Sequence, residues 1–226
     1  MNPQRVIAAR SPADAAVSVI AGNRVLRNTY WLLSLTLVFS AAVAAGTAAL
    51  GLPHPGLLLT LVGYFSLLFL TTKLRDSAMG LVAVFGLTGF MGYTLGPIVS
   101  AYLSLPNGHQ VVMAAMGSTA AVFLALSGYA LVSRRDFSFM GGFLTAGILV
   151  AFLAGLGAVF LQIPALSLTV SAAFVLLMSG LILFETSRIV QGGETNYLMA
   201  TVTLFVAIYN LFLSLLSLFG FGHSNE

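Results

Sequence analysis

What this 226-residue sequence has least of is charge: nine Lys and Arg and six Asp and Glu make up 7% of it, against about 25% in soluble domains. So few ionisable side chains cannot cover a water-facing surface, which excludes a cytosolic enzyme, a secreted domain and a disordered protein together. Cysteine is absent, which removes disulfides, thiolate metal sites and cysteine nucleophiles. Also missing is the alternation of apolar and polar residues in strands of about ten that a membrane β-barrel requires. No loop is long enough to hold a soluble domain, and no heptad or fixed-period repeat runs through the chain.

What is there is apolar: 59% of the residues are hydrophobic, gathered into continuous runs of about twenty, the length at which a helix crosses a bilayer. Seven such segments are predicted, at about 30–50, 56–72, 80–103, 111–132, 141–161, 168–190 and 197–221. Pro53-His54-Pro55, Pro106-Asn107-Gly108, Gln162-Ile163-Pro164 and Gln191-Gly192-Gly193-Glu194 separate them, together with the charged stretches Lys73–Asp76 and Arg134–Asp136. The second segment is the shortest, and six spans is the competing count. The sequence thus divides into a cytosolic tail over 1–28, an all-α polytopic domain over 29–222 and a short C-terminal tail over 223–226. No apolar core followed by an A-x-A cleavage site opens the chain, so an uncleaved first span is expected.

Lys and Arg near span ends stay in the cytoplasm. The tail holds Arg5, Arg10, Arg24 and Arg27; Lys73 and Arg75 follow span 2, Arg134 and Arg135 follow span 4, and Arg188 ends span 6. The loops after spans 1, 3 and 5 hold none. Seven spans therefore place every basic residue on one side, with the N-terminus inside and the C-terminus outside.

Few residues within the spans can carry chemistry. Glu185 lies about 7 Å inside the end of span 6, at about 1.5 Å per residue, and an ionisable group at that depth is a candidate site. Arg188, three residues on, can pair with it along the helix. The pair is either an interfacial anchor or a proton- or cation-sensitive gate, with Lys73, Arg75 and Asp76 as possible further partners. In span 3, Gly80, Gly86, Gly89, Gly92 and Gly96-Pro97 either let a neighbouring helix approach closely or break the helix to line a cavity. Asn210 in span 7 is a further polar group, suited to bonding a neighbouring helix. His54, His109 and His223 stand singly, so no metal and no cofactor is expected, nor is a nucleic-acid partner. Asp14, Asp76 and Asp136 lie outside the spans, no span holds histidine, and HExxH is absent, so no intramembrane protease and no other enzyme is expected.

At Leu95-Gly-Pro-Ile98, Phe137-Ser-Phe-Met-Gly-Gly142, Phe184-Glu-Thr-Ser-Arg-Ile189, Gly193-Glu-Thr-Asn-Tyr197 and Tyr209-Asn-Leu-Phe-Leu-Ser-Leu-Leu216, the chain resembles the Bax inhibitor 1 (transmembrane Bax inhibitor motif) family. Val25-Leu-Arg-Asn-Thr-Tyr30 and Ser34-Leu-Thr-Leu37 bring it closer to the proteobacterial members of that family, inner-membrane modulators of the FtsH protease. The resemblance implies seven helices, six around a central one. It implies FtsH as a partner, restrained in its proteolysis, with the N-terminal tail as a handle for the protease. It also implies, for part of the family, a calcium or proton leak closed by two acids in the last two spans and a basic residue of span 2. Glu185 matches the first acid, the second falls at Ala207, and the basic residue is Lys73 or Arg75. A shared-proton latch needs two neighbouring carboxylates, so Ala207 weakens the leak reading and favours the protease-modulator one.

Overall fold

A computed structural model describes the backbone of residues 12–222 and the side-chain surroundings of residues 24–221. Arg5, Arg10, the Asp14 side chain, His223 and the tail over 223–226 lie outside the described residues. Among those described, the chain forms seven helices and no strand: α1 (Pro12–Ala49), α2 (Leu57–Leu74), α3 (Met79–Leu103), α4 (Gly108–Ser133), α5 (Met140–Leu161), α6 (Pro164–Val190) and α7 (Tyr197–Gly222). All seven carry a stretch long and apolar enough to cross a membrane. The 18 residues of α2 reach about 27 Å at 1.5 Å per residue, close to a hydrocarbon core of about 30 Å. The seven-span count therefore stands over the six-span one.

Two boundaries differ from the sequence expectation. Helix α6 begins at Pro164 rather than near 168 because proline is favoured in the first turn, where its missing N–H has no helical partner to lose. Helix α1 begins at Pro12, so the boundary at 28 marks where polar sequence gives way to apolar sequence, not where the chain becomes helical. Ser11-Pro12 followed by Asp14 and paired alanines is itself a helix-start pattern.

Helix α7 is the centre. Half of its spanning stretch is buried, against 6% for α2 and 17% for α5, and it packs against α1, α3, α4 and α6. Leu204, Phe205, Leu211 and Leu216 of α7 are enclosed with Leu33 of α1, Leu87 of α3, Val111 of α4 and Ile182 of α6. Helix α2 packs on α3, and α5 on α6, toward the outside.

Lipid tails are as apolar as leucine, so close packing rather than water exclusion must hold such helices together. The α1/α3 seam shows how. A Cβ on Gly92 would overlap the Ser40 carbonyl, and one on Gly96 would overlap Thr47 and the Ala44 carbonyl. Gly89 lies against the Phe39 ring. Of the two readings of span 3, close packing holds and the broken helix does not: α3 is continuous through Gly96-Pro97. Pro97 removes the N–H that would have bonded the Tyr93 carbonyl, and the helix runs on past it to Leu103.

Candidate functional site

The loops after α2, α4 and α6 meet at one end of the bundle, where all seven described basic residues lie, and α6 organises them through consecutive side chains. Glu185 is buried, 1% exposed. Its Oε2 accepts from Arg188 Nη1 at 3.2 Å, while Oε1 has no hydrogen-bond partner. Thr186 Oγ1 meets the Tyr30 hydroxyl of α1 at 3.4 Å. Ser187 Oγ donates to the Arg135 carbonyl at 2.8 Å and accepts from Phe137 N at 3.3 Å, and Gln191 Nε2 donates to the Arg134 carbonyl. Helix α4 can turn into that loop because Arg134 adopts a left-handed conformation, φ 49°. Beyond it, Asp136 Oδ1 accepts from Ser138 N at 2.8 Å. The Ser138 hydroxyl, followed by that backbone N–H, holds the exposed Asp136 carboxyl below its ordinary 3.8.

Arg188 carries the site outward. Its Nη2 donates to Glu194 Oε2 at 3.4 Å and to the Gly193 carbonyl at 3.5 Å, and its guanidinium lies over the Phe184 ring, 5.4 Å from the centroid. Glycine is required just before this: Gly192, at φ 74°, reverses the chain so that Gly193 N can bond the Arg188 carbonyl at 2.8 Å. Glu194 Oε1 then accepts from Asn196 N at 2.8 Å. Asn196 Oδ1 caps α7 by accepting from Leu198 N at 3.0 Å and Met199 N at 3.1 Å. Its Nδ2 reaches loop 2–3, donating to the Arg75 carbonyl at 3.1 Å and to Asp76 Oδ1 at 3.0 Å. A continuous polar chain thus runs from a buried carboxylate on α6 to the exposed Arg75–Asp76 pair.

In this chain one guanidinium serves two carboxylates.

The residues singled out by sequence are brought together only in part. Glu185 and Arg188 pair directly. Lys73 is exposed and Arg75 pairs with Asp76; neither forms an ion pair with Glu185, so the basic partner comes from α6 itself. Ala207 is fully buried, leaving α7 without an acid there. Gly89, Gly92 and Gly96 serve the α1/α3 seam, and Pro97 follows them within α3, all remote from Glu185 in the chain. Asn210 Nδ2 donates to Val206 O of its own helix at 2.8 Å, rather than to a neighbouring helix. Among the described residues, no three His, Asp or Glu side chains gather as a metal site. Sequence reasoning missed Glu194 and Asn196 as site residues. Both lie in the Gly193-Glu-Thr-Asn-Tyr197 stretch that carries the family resemblance; Asn196 also had a local signal, an Asn immediately before an apolar helical run, whereas no periodicity points to Glu194, because a turn rather than a helical face brings it to Arg188.

Residues 22–224 match the family described as Inhibitor of apoptosis-promoting Bax1. An Escherichia coli K12 protein named Modulator of FtsH protease YccA is 53% identical over 212 residues, 94% of this chain and 96% of that one. Its counterpart in Escherichia coli O6:H1, with the same identity and coverage, is named Inner membrane protein YccA. An uncharacterized Pseudomonas aeruginosa protein is 54% identical over 202 residues, 89% of this chain and 91% of that one.

Proposed function

The chain belongs to the Inhibitor of apoptosis-promoting Bax1 family, and from that premise we propose that it is a regulatory protein of the bacterial inner membrane that binds and modulates the FtsH protease. The observation that carries this reading is 53% identity, over nearly the full length of both chains, to a relative named for that modulation. The bundle's build supports it. The loops on the basic side are pinned to α6 and α7 by Ser187, Gln191, Glu194 and Asn196, offering a rigid face to a partner anchored in the same membrane. Charge distribution supports an N-terminus in the cytoplasm and a C-terminus in the periplasm, and the N-terminal segment is then on the side where a protease can engage it.

Two measurements test this. FtsH is expected to co-purify with the full chain in mild detergent, and deleting residues 2–20 is expected to lengthen the protein's lifetime in cells. Absence of FtsH from the purified material sinks the binding claim, and an unchanged lifetime sinks the handle. A reporter after Glu226 that proves cytoplasmic overturns the orientation.

A second reading, a pH-sensitive calcium or proton leak, draws on one observation: Glu185 is buried with an oxygen left without a partner. Alanine at 207 counts against it, since the second acid of a latch is missing from α7. Ion flux in proteoliposomes that falls markedly in Glu185→Gln supports the leak; flux equal to that of empty vesicles ends it.

A further inference from the structure

Helix α1 keeps one side open. Arg24, Arg27, Asn28, Trp31, Leu35 and Val38 recur at intervals of three and four residues, so they lie along one face, and every one of them is exposed. Thr29, Leu32, Leu33 and Thr36, between them, are buried. The backbone is helical from Pro12, well before Arg24, which fixes this register at both arginines. Depth follows from α7, whose spanning stretch begins at Tyr197. Thr201, about 6 Å farther in at 1.5 Å per residue, donates its hydroxyl to the Thr29 carbonyl at 3.4 Å. Arg24 and Arg27 therefore straddle the level at which α7 begins, and Trp31 stands one turn deeper than Arg27.

Three features define what this face takes. First, its positive charge is unanswered. Arg75 is paired with Asp76, and Arg188 with Glu185 and Glu194, but neither Arg24 nor Arg27 has an ion pair among the described residues, and α1 holds no Asp or Glu from Arg24 to Ala49. Side chains three apart on a helix stand about 5–6 Å from one another at Cβ, so two guanidinium forks can close on one phosphate. Second, Trp31 is the one tryptophan and is 67% exposed. An indole is apolar in body and carries a single N–H donor, which suits the zone between headgroup and acyl chains. Third, Leu35 and Val38, 51% and 70% exposed, continue the face as hydrocarbon. Cationic at the top, amphipathic one turn in and apolar beyond, the face matches the polarity profile of an anionic phospholipid. A free phosphate would engage the arginines alone, and an acidic segment of a soluble partner would leave the indole and the apolar stretch uncovered. Lys73 of α2 provides the contrast: it is exposed and without an ion pair among the described residues, but its basic neighbour Arg75 is already engaged by Asp76.

We propose that Arg24, Arg27 and Trp31 form a binding site for one anionic phospholipid in the leaflet on the basic side, its phosphate between the two guanidiniums and its acyl chains along Leu35 and Val38. The site is independent of the protease-modulator reading and stands or falls separately from it.

Trp31 is its own reporter. The full chain is reconstituted into vesicles of phosphatidylglycerol, which carries a net negative charge, and phosphatidylethanolamine, which carries none, in equal parts, with bromine on the acyl chains of one lipid or of the other. Brominated phosphatidylglycerol is expected to quench Trp31 as though it were enriched roughly three- to tenfold beside it, the sum of two exposed ion pairs. Arg24→Gln/Arg27→Gln is expected to abolish that preference, while Lys73→Gln keeps it. Should the double variant fail to insert or fold, Trp31→Phe/Phe69→Trp moves the reporter to an exposed position of α2, four residues from Lys73 and at a similar depth, with both arginines retained. There the preference is expected to be less than half as large. Overturning results are equal quenching of Trp31 by the two lipids, an unchanged preference in a folded Arg24→Gln/Arg27→Gln, its loss in Lys73→Gln, or the same preference at both tryptophan positions, which would mark a field of the whole basic end rather than a site.

Discussion

Removing the Arg188 guanidinium is the sharpest way to probe the basic end of the bundle. Arg188→Ala leaves Glu185, with a side chain only 2% exposed, with neither of its oxygens paired. Breaking a buried ion pair from one side costs about 3–5 kcal/mol. Here the guanidinium is one-third exposed and its two carboxylate distances are 3.2 and 3.4 Å, so part of its charge is already satisfied by solvent and the expected cost is lower, about 2–3 kcal/mol. Glu185→Gln alone keeps the shape and is expected to cost about 1 kcal/mol. In Glu185→Gln/Arg188→Ala no buried charge remains, so the double variant should be more stable than Arg188→Ala, with a coupling of about 1–2 kcal/mol. Equilibrium unfolding in mixed micelles, followed by helical circular dichroism, reads all four proteins. The reasoning is refuted if Arg188→Ala costs under about 0.5 kcal/mol, or if adding Glu185→Gln lowers stability further.

Three further outcomes follow from the same geometry. Gly92→Leu, which drives a side chain into the Ser40 carbonyl of α1, is expected to cost about 1–3 kcal/mol of stability in the same unfolding assay, while Gly117→Leu, with nothing near its Cβ, should cost less than about 1 kcal/mol. Asn196→Ala loses the α7 cap and the tie to loop 2–3; about 1 kcal/mol of destabilisation is expected, with faster amide exchange at Leu198 and Met199. For Asp136, whose carboxyl sits below its ordinary 3.8, the ionised form favours the folded loop. Its contribution is complete above the unfolded-state pKa and is lost as pH falls through the lower folded value. Proteolytic sensitivity of loop 4–5 should therefore rise only below about pH 4, and Asp136→Asn should abolish that acid-side rise.

The span count, the helix ends and the grouping of basic residues were legible in the sequence because each depends on local chemistry: run length against bilayer thickness, proline and glycine punctuation, and charge that cannot sit in lipid. Glu185 stood out for the same reason, as the one acid inside a predicted span. Its pairing with Arg188 was also local, three residues apart on one helix.

The remainder of the site depends on which helices meet. Sequence spacing could not choose between packing and a break at Gly96-Pro97, since both use small residues; the approach of Ser40, Ala44 and Thr47 decides for packing. Lys73 and Arg75 shared the right side of the membrane with Glu185, but sidedness fixes only depth, and α2 lies outside on α3 instead of against α6. Glu194 and Asn196 join the site through a turn at Gly192, which no helical periodicity reports. Composition and local pattern determined that this chain is a seven-helix membrane bundle with its basic residues at one end. Tertiary packing alone decided which groups Glu185 meets, because in a uniformly apolar sequence hydrophobicity cannot say which face of a helix finds a neighbour and which finds lipid.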